Sequence, residues 1–442
     1  MINFIKNLSC IILFILFNSN SNAGPIIEAY ENALQYDRQW KIAKSKIDES
    51  LELLPQAKSQ LLPSINLSNA VSNVKQQITN GSIMSPEQKY PANITALVLK
   101  QAIFRPRLVI GLDIAEAQAM QASFVYKEEE QQLLLRTISA YLDILQNEEI
   151  EVLTKSQINL SDLRLKTSTL AFKNGLGSLS ELELAQVELE RNKAQLLKFN
   201  QDSLLAKAKF EQITGKYLDK SRSMKDFLID KNFFSLPTLT ELIDKLEKNN
   251  FKLKASLKDV EISNFALKQA GTGHYPTLDF YTQYSNNQGE NGYFATSKTK
   301  NLSVGVQFNM PLYAGGLIDS QIRQARLRLN QSEDFYQMQK DDLNIKLKNE
   351  YYLLNLNIKN IEVIGKAIDA STNILRLNEK GFLAGVTSNN DILKSEFDLY
   401  RQKLDYTKSK FEALVSFLKI KLLIGEINSE LLVSIDNKFL IK

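Results

Sequence analysis

The chain has 442 residues, with 54 lysine or arginine residues against 50 aspartate or glutamate residues, so its formal net charge is +4. That balance is too even to indicate a nucleic-acid partner, and no basic arm is present. The one cysteine and the one histidine, His274, cannot supply a cysteine metal site or a histidine-based nucleophilic triad. We therefore predict no catalytic residues, no metal and no cofactor.

Residues 1–23 have the pattern of a secretory signal peptide. Lys6 supplies the positive charge, residues 11–17 form a short apolar run, and residues 21–23 are Ser-Asn-Ala. A retained membrane anchor is the alternative. Cleavage after Ala23 would remove Cys10 and Lys6, leaving no thiol and a net charge of +4 − 1 = +3. No later stretch reaches about 18 consecutive apolar residues, so we expect no transmembrane helix after the signal.

The remaining sequence repeats itself with a long period. Gly175 recurs as Gly385 (385 − 175 = 210), and Pro63 recurs as Pro276 (276 − 63 = 213). Such a period indicates a duplicated structural unit and not a solenoid of short repeats. The predicted divisions are a signal peptide at 1–23, a first repeat at 24–215, a linker or equatorial region at 216–237, a second repeat at 238–425 and a tail of weak periodicity at 426–442.

The elements follow the same order in both repeats. In the first we expect a helix over 25–62, a strand pair over about 63–104, a long helix over 106–173, a glycine turn and a helix ending at 214. In the second we expect a helix over 238–270, a strand pair over about 275–310, a long helix over 317–380, a glycine turn and a helix ending at 424. Polar loops are expected at 76–90 and 286–300. Each long helix would have ~65 residues and extend ~100 Å, too far to fold back into a compact domain.

Apolar side chains follow a coiled-coil period along the predicted helices. In the last helix, steps of three and four residues connect Phe397, Tyr400, Leu404, Thr407, Phe411, Leu414 and Leu418. We expect the shorter helices of each repeat to stack end to end against the long helix, forming a two-stranded rod. Ordinary amphipathic helical bundles are the alternative.

The strand regions alternate between apolar and polar side chains. The clearest example has Leu302, Val304, Val306 and Phe308 at every second position. One apolar and one polar face over about ten residues is typical of a transmembrane β-barrel strand. A soluble sheet with one wet face is the alternative. Because a sheet in lipid cannot keep open edges, four strands would need other copies to close a barrel, and three copies would give twelve strands.

Two segments resemble the TolC family of outer-membrane efflux and secretion ducts. Residues 310–316, Met-Pro-Leu-Tyr-Ala-Gly-Gly, resemble that family's exit from a strand into the long helix, and residues 61–65 resemble its proline entry into the first strand. Residues 101–107 are a degenerate copy of the exit, without glycines. The expected strand–helix boundaries are Pro63, Pro276, Pro311, Gly315 and Gly316.

This resemblance covers nearly the whole mature chain. It implies a mainly α fold with transmembrane β structure, in which a homotrimer forms a 12-stranded β-barrel in outer-membrane lipid and continues into a 12-helix periplasmic α-barrel. It also implies work with a periplasmic adaptor and an inner-membrane transporter, in efflux of small molecules or type I secretion of proteins. An iris at the periplasmic end is implied as well.

The resemblance further implies functional positions at the pore entrance. Asp391 lies where the family's second repeat commonly has an aspartate, and three copies would make a cation-attracting ring. A carboxylate that stabilises a helix N-terminus is the alternative, and both roles can hold together. Lys394 stands where the family often has a second aspartate, which predicts a weaker cation preference.

Other expected positions lie beside the glycine turns. Glu181, with Ser180 before it, would form polar latches between neighbouring coils, the alternative being a solvated helix surface. Phe382 replaces a tyrosine that the family often has, so a hydroxyl latch would be missing there. The positions expected to contact the adaptor, unless they serve turn geometry alone, are Gly175, Leu176, Gly385 and Val386.

Two other classes of function compete with a passive outer-membrane channel. A periplasmic coiled-coil adaptor without its own pore would need no barrel strands. A surface-bound enzyme would need a polar cluster in a pocket, which the sequence does not indicate. We therefore predict a channel that catalyses no reaction.

Overall fold

The computed structural model describes residues 24–77, 79–80, 83–84, 86–218, 231–291 and 294–439. The predicted signal peptide and residues 219–230 of the predicted linker lie outside the described residues. The helices are α1 (Pro25–Tyr36), α2 (Arg38–Ser59), α3 (Pro106–Lys173), α4 (Leu179–Thr214), α5 (Leu239–Asn249), α6 (Phe251–Gly271), α7 (Leu317–Leu383), α8 (Asn389–Leu423) and α9 (Ser429–Phe439). The strands are β1 (Ser64–Gln76), β2 (Thr79–Asn80), β3 (Ile83–Met84), β4 (Gln88–Phe104), β5 (Thr277–Asn291) and β6 (Phe294–Asn309).

The same order of elements occurs twice: two short helices, a pair of long strands, a long helix and a shorter helix. The long helices α3 and α7 have 68 and 67 residues. At 1.5 Å per residue each extends about 100 Å. The predicted mainly α fold with duplicated strand pairs is confirmed.

The prediction of one continuous helix at the start of each repeat is wrong. α1 ends before Asp37, whose carboxylate accepts a hydrogen bond from the backbone N–H of Trp40 at 2.6 Å and so caps α2. α5 ends before Asn250, whose side-chain oxygen accepts from the N–H of Leu253 at 2.9 Å and caps α6. These caps satisfy N–H groups that have no partner inside a helix. Since 250 − 37 = 213, the break belongs to the duplicated unit.

The four long strands form one antiparallel sheet in the order β1-β4-β5-β6. The strand pair of the first repeat therefore joins that of the second through β4 and β5. β1 and β6 are the two edges of this sheet, and neither edge has a further strand partner within the described part of the chain.

The two predicted polar loops are largely strand, which corrects that prediction. β5 and β6 remain paired from Thr277 opposite Asn309 to Asn291 opposite Phe294. The short β2–β3 hairpin lies within 76–90, and β4 already begins at Gln88. The prediction of loops failed because the hydrogen-bonded pairing of the backbones continues where the side chains on both faces become polar. Alternation reports which face is apolar, not how far the backbone pairing extends.

The helices lie side by side in one layer. Close to the sheet, α6 packs between α3 and α7, with α2 on the other side of α3. Towards the far ends of the long helices, α8 packs between α3 and α7, with α4 on the other side of α3. The shorter helices do stack along the long ones. α6 and α8, both from the second repeat, contact both long helices, however, so the two repeats share a wall and do not form separate rods.

The main hydrophobic core lies at mid-length, where the stacked shorter helices meet. Leu347 of α7 and Leu418 of α8 are fully buried there. Phe234, from the predicted linker, packs into the same cluster. So do Leu432 and Ile435 of α9, which shows that the tail forms a helix docked on the core. Its weak periodicity had given no sign of this, because eleven residues are too few to establish a period.

One helix among the described residues, α3, contains an 18-residue stretch apolar enough to cross a membrane, with a mean hydropathy of 1.2. Only 11% of that stretch is buried within the protomer. α3 is more than three times as long as such a stretch and packs against α2, α4, α6 and α8. A single helix of this kind is weak evidence for a membrane span.

Candidate functional site at the helix tips

The α3–α4 hairpin ends in a tight glycine turn. The N–H of Gly175 donates to the carbonyl of Phe172 at 3.0 Å, and the N–H of Leu176 donates to the carbonyl of Ala171 at 2.9 Å. This pair of bonds is the Schellman motif, which satisfies the last carbonyls of a helix and requires a left-handed residue. Gly175 supplies it with a φ of 71°.

The α7–α8 hairpin ends in the same turn. The N–H of Gly385, at a φ of 73°, donates to the carbonyl of Phe382 at 3.0 Å, and the N–H of Val386 donates to the carbonyl of Gly381 at 2.8 Å. The turns at Gly175 and Gly385 are both open, since no heavy atom lies within 4 Å of the position of a Cβ on either. Another chain could therefore approach either backbone closely.

A capping box begins each helix after the turn. Ser178 accepts from the N–H of Glu181 at 3.2 Å, and the Glu181 carboxylate accepts from the N–H of Ser178 at 3.1 Å. Ser388 and Asp391 repeat this arrangement with distances of 3.2 and 3.0 Å. Glu181 and Asp391 are thus equivalent residues (391 − 181 = 210). Ser180 is an exposed residue in the first turn of α4 and does not cap it.

Asp391 is held as a carboxylate at the helix tip. The Ser388 hydroxyl donates to its Oδ2 at 2.7 Å, and this hydrogen bond, with that from the Ser388 backbone, lowers the pKa of Asp391 below its ordinary value. The positive charge of Lys394 lowers that pKa further. Both side chains are exposed. The helix N-terminal role is therefore present in the structure. It leaves the carboxylate accessible to a pore role as well.

Large apolar side chains project from both tips. Leu176 is 84% exposed and Val386 is 80% exposed. In a Schellman motif the residue at this position frequently packs against its own helix, but neither side chain does so here. Leu383 and Phe382 are exposed beside Val386. The tips therefore present apolar surface together with open backbone.

An ion-pair cluster links the two hairpins within about three helical turns of the tips. Arg164 of α3 donates through Nε to Glu396 of α8 at 2.9 Å and through Nη2 to Glu379 of α7 at 2.9 Å. Glu396 is only 3% exposed, and burial raises its pKa, although the bond from Arg164 acts in the opposite direction. This cluster joins three helices of the layer.

A second polar contact lies closer to the tips. The side-chain amide of Asn389 donates to the hydroxyl of Ser168 at 2.7 Å, and both residues are buried. Asn378 of α7 donates to the Ser395 hydroxyl at 3.1 Å. These residues and the Arg164 cluster were not predicted from the sequence. The available signal was a polar residue, such as Glu396, at a position that the helix buries.

The predicted boundary residues lie at the ends of the strands. Pro63 and Pro276 immediately precede β1 and β5. Pro311 follows β6, and Gly315 and Gly316 have φ values of 60° and 81° at the start of α7. Gly316 is the residue that caps α7.

The first repeat makes the equivalent connection without glycine. Arg105 precedes α3 and donates through Nε to Asp279 of β5 at 2.6 Å, and its second guanidinium nitrogen pairs with the other carboxylate oxygen. Asp279 is buried. The guanidinium therefore fastens the first strand–helix junction to the sheet of the second repeat.

One face of the sheet is apolar across all four strands. The register places apolar residues opposite one another in a row made of Leu67, Leu97, Tyr284 and Leu302. All four are exposed, Leu67 by 73% and Leu302 by 71%. The next residues along, Asn66 opposite Val98, and Gln283 opposite Ser303, point to the other face. Val98 and Ile94 on that face explain why β4 alternates less clearly in sequence.

The family model described as outer membrane efflux protein matches residues 242–426. The "Outer membrane protein TolC" of Escherichia coli strain K12 is 23% identical over 433 residues, covering 95% of this chain and 86% of that protein. The "Proteases secretion protein PrtF" of Dickeya chrysanthemi is 22% identical over 421 residues, covering 94% and 91%. The crystal structure of the Campylobacter jejuni CmeC outer membrane channel matches with a TM-score of 0.78 at 14% identity, covering 96% of this chain and 94% of that one.

Proposed function

The chain belongs to the TolC family of outer-membrane efflux and secretion proteins, and we propose that it is the exit duct of a tripartite export system. The family resides in the outer membrane and consists of channels, not enzymes. The duct would release small molecules, as in efflux, or proteins, as in type I secretion. Energy would come from the inner-membrane transporter.

The observation that carries this proposal is the sheet with one exposed apolar face and with two edges that have no strand partner among the described residues. The apolar face that contains the row from Leu67 to Leu302 would be poorly soluble in water but matches the hydrocarbon of a bilayer. Within hydrocarbon an unpaired strand edge leaves N–H and C=O groups without partners, at several kcal/mol each. β1 of one copy must then pair with β6 of the next, and three copies close a barrel of twelve strands.

The exposed faces of the outermost helices support the same assembly. In the distal half of the layer, α4 and α7 lie at opposite sides. α4 exposes Leu184, Val187, Leu197, Leu204 and Leu205. Over the same half of the layer, α7 exposes Tyr352, Leu356, Val363, Ile374 and Leu377. Contact between α4 of one copy and α7 of the next would bury both faces and continue the layer into a closed helical tunnel.

The helix tips would serve the periplasmic partner. Leu176 and Val386 are exposed apolar side chains beside open glycine turns, which suits docking of a helical adaptor. Asp391 would then stand at the tunnel entrance in three copies. An adaptor without its own pore is a poorer account, since it would not need a four-stranded sheet with a lipid-compatible face.

Fractionation and electrophoresis test the channel. We expect the protein in the outer-membrane fraction as an oligomer of three copies that dissociates on heating, and conductance steps when it is added to a planar lipid bilayer. A soluble periplasmic monomer without conductance would contradict the proposal.

Cross-linking followed by co-purification tests the partners. Wild-type protein should bring down a periplasmic adaptor and an inner-membrane transporter. Val386→Asp should lose the adaptor while keeping the oligomer. Val433→Asp, an exposed valine on α9 away from the tips, is the matched control and should retain it.

A further inference from the structure

Seven charged residues form one exposed stripe along α8. They follow steps of three and four residues, which keeps them on one side of a helix. Their signs alternate without exception. The stripe consists of Asp391, Lys394, Asp398, Arg401, Asp405, Lys408 and Glu412, all exposed. The 21 residue steps from first to last (412 − 391 = 21) extend about 30 Å along the helix axis.

Most side chains of the stripe make no hydrogen bond or ion pair with the described part of the protomer. Asp391 bonds to Ser388. For the other six side chains, the described part of the chain offers no hydrogen bond and no ion pair, whereas neighbouring Glu396 and Lys410 are both paired. Six unpaired charges on one helix face indicate a surface that remains in contact with water.

α8 also differs from the other helices of the wall in its exposed apolar residues. α3, α4 and α7 each expose several large hydrophobic side chains, but none of the exposed large hydrophobic residues in the described ranges lies within α8. Contacts with α3 and α7 cover both flanks of α8 already. Its remaining exposed face therefore has no surface suited to packing against another copy.

The position of α8 in the layer leaves two directions for its exposed residues. Beyond the first turn, Lys403 is the one exposed residue outside the stripe among the described residues of α8. It follows Arg401 by two residues and thus lies about 200° around the helix, on the opposite surface of the wall. If the layer closes into a tunnel, one of these surfaces lines the lumen and the other faces the periplasm.

We infer that the stripe lines the lumen and makes the entrance half of the tunnel balanced in charge, so that it accepts cargo of either sign. This inference rests on the proposed channel function, and the position of Asp391 at the start of the stripe favours the lumen side. Each stripe position becomes a ring of three like charges. Successive rings have opposite sign and lie about 5 Å apart along the axis.

Alternating rings at this spacing cancel one another away from the wall. Opposite charges about 5 Å apart lie within one Debye length, which is about 8 Å at physiological salt, so little net potential extends into the lumen. Four acidic and three basic residues leave −1 per copy. The lumen would therefore show only a slight cation preference. Molecules carrying both signs, such as unfolded polypeptides and zwitterions, would meet matching groups along the wall, whereas a ring of one sign would select by charge.

Reversal potentials in a KCl gradient test this with the full-length protein in planar bilayers. The ratio of K⁺ to Cl⁻ permeability should be near one for the wild type. It should rise several-fold in the double variant Arg401→Asp with Lys408→Asp. Lys403→Asp makes the same change of charge on the opposite surface of the same helix and should leave the ratio unchanged.

Single-cysteine variants exclude misfolding as the cause of a shift, since the charge is added only after the channel has inserted. The one native cysteine, Cys10, lies in the predicted signal peptide and would not be labelled in the mature protein. Arg401→Cys and Lys403→Cys channels would be inserted first and then treated with an anionic methanethiosulfonate. The ratio should shift at residue 401 and not at 403. A shift at 403 alone, or at neither residue, in conducting channels would overturn the lumen assignment. Failure of the folded wild-type oligomer to conduct at all would instead overturn the channel function itself.

Discussion

Arg105, at the end of the first strand pair, holds Asp279, in the first strand of the second pair. The two residues are 174 positions apart, and both carboxylate oxygens of Asp279 accept hydrogen bonds from the guanidinium. The second repeat makes its own strand-to-helix connection with Gly315 and Gly316. The first repeat thus has no glycine pair at its strand-to-helix junction. It has instead an ion pair that joins the two repeats where the sheet meets the helices.

Removing the arginine should destabilise the junction. In Arg105→Ala the Asp279 carboxylate stays buried without its cation, and we expect a loss of about 3 kcal/mol, at the low end for buried pairs because Arg105 is partly exposed. The measurement is the temperature at which the oligomer dissociates in gel electrophoresis. Arg105→Ala with Asp279→Asn should recover most of the loss. Equal stability of Arg105→Ala and wild type would show that the pair contributes nothing.

Asp391 should govern block of the channel by divalent cations. Asp391→Ala removes three carboxylates from the proposed entrance ring, so block of conductance by Mg²⁺ should weaken. Lys394→Asp should strengthen it by creating a second acidic ring one turn further along. Equal block by Mg²⁺ in the wild type and in both variants would show that Asp391 does not lie at the entrance.

The same block should depend on pH in a way set by Ser388. Hydrogen bonds from Ser388 lower the pKa of Asp391, so its charge persists above that lowered value and is lost only as the pH falls through it. The associated stabilisation of the helix tip is likewise present above the unfolded pKa and lost on acidification. In Ser388→Ala the midpoint for loss of Mg²⁺ block should move to higher pH, towards the ordinary value of about 3.9. An unchanged midpoint would contradict the role of Ser388.

The cap at the break between α5 and α6 should contribute measurably to the stability of the protein. Asn250→Ala removes the cap on the N–H of Leu253 and also the hydrogen bond from the Asn250 amide to the carbonyl of Leu423 at 2.9 Å. We expect the free energy of unfolding to fall by about 2 kcal/mol. The lost cap accounts for about 1 kcal/mol, and the Leu423 carbonyl left without a donor accounts for about 1 kcal/mol. Asn250→Asp keeps the cap and should lose about half. Thermal unfolding monitored by circular dichroism provides the comparison, and no difference between the two variants would show that the Leu423 bond is unimportant.

Arg164 should hold the two hairpins together near their tips. Burial raises the pKa of Glu396, and the bond from Arg164 opposes that rise. Arg164→Ala should therefore raise the pKa further. A carboxyl with a raised pKa contributes stability that is complete below its unfolded pKa and is lost as pH rises through the folded pKa. Glu379 nearby adds a second negative charge.

The channel formed by Arg164→Ala should thus open as the pH increases. We expect its conductance to grow from acid to neutral pH, while the wild type changes less. Arg164→Ala with Glu396→Gln removes the titrating group and should show no such increase. A rise of equal size in the double variant would mean that the effect lies elsewhere.

Much of the fold follows from the sequence because its signals are local. The 3.5-residue period and the glycine turns at Gly175 and Gly385 predicted both long helices to within three residues of their observed ends (383 − 380 = 3). The alternation from Leu302 to Phe308 predicted a sheet with one apolar face. Period and alternation record which side of an element avoids water, and that information lies within a few residues of chain.

The site was predictable only in part. The tip position of Asp391 follows from its distance to the glycine turn. Its capping bond with Ser388 follows from the spacing of a capping box. The cluster of Arg164, Glu379 and Glu396 does not, because a buried charge interrupts the apolar period and nothing local identifies its partner.

The sequence by itself determined the duplication, the lengths of the long helices and the apolar face of the sheet. Only the tertiary structure decided that α6 and α8 pack between both long helices, and that Arg105 pairs with Asp279. These features depend on contacts between residues far apart in the chain, whose free energy is gained only after the elements have packed. The alternating charges along α8 were present in the sequence throughout. Their meaning emerged once packing showed that this face of α8 stays exposed and that the described part of the helix exposes no large apolar side chain.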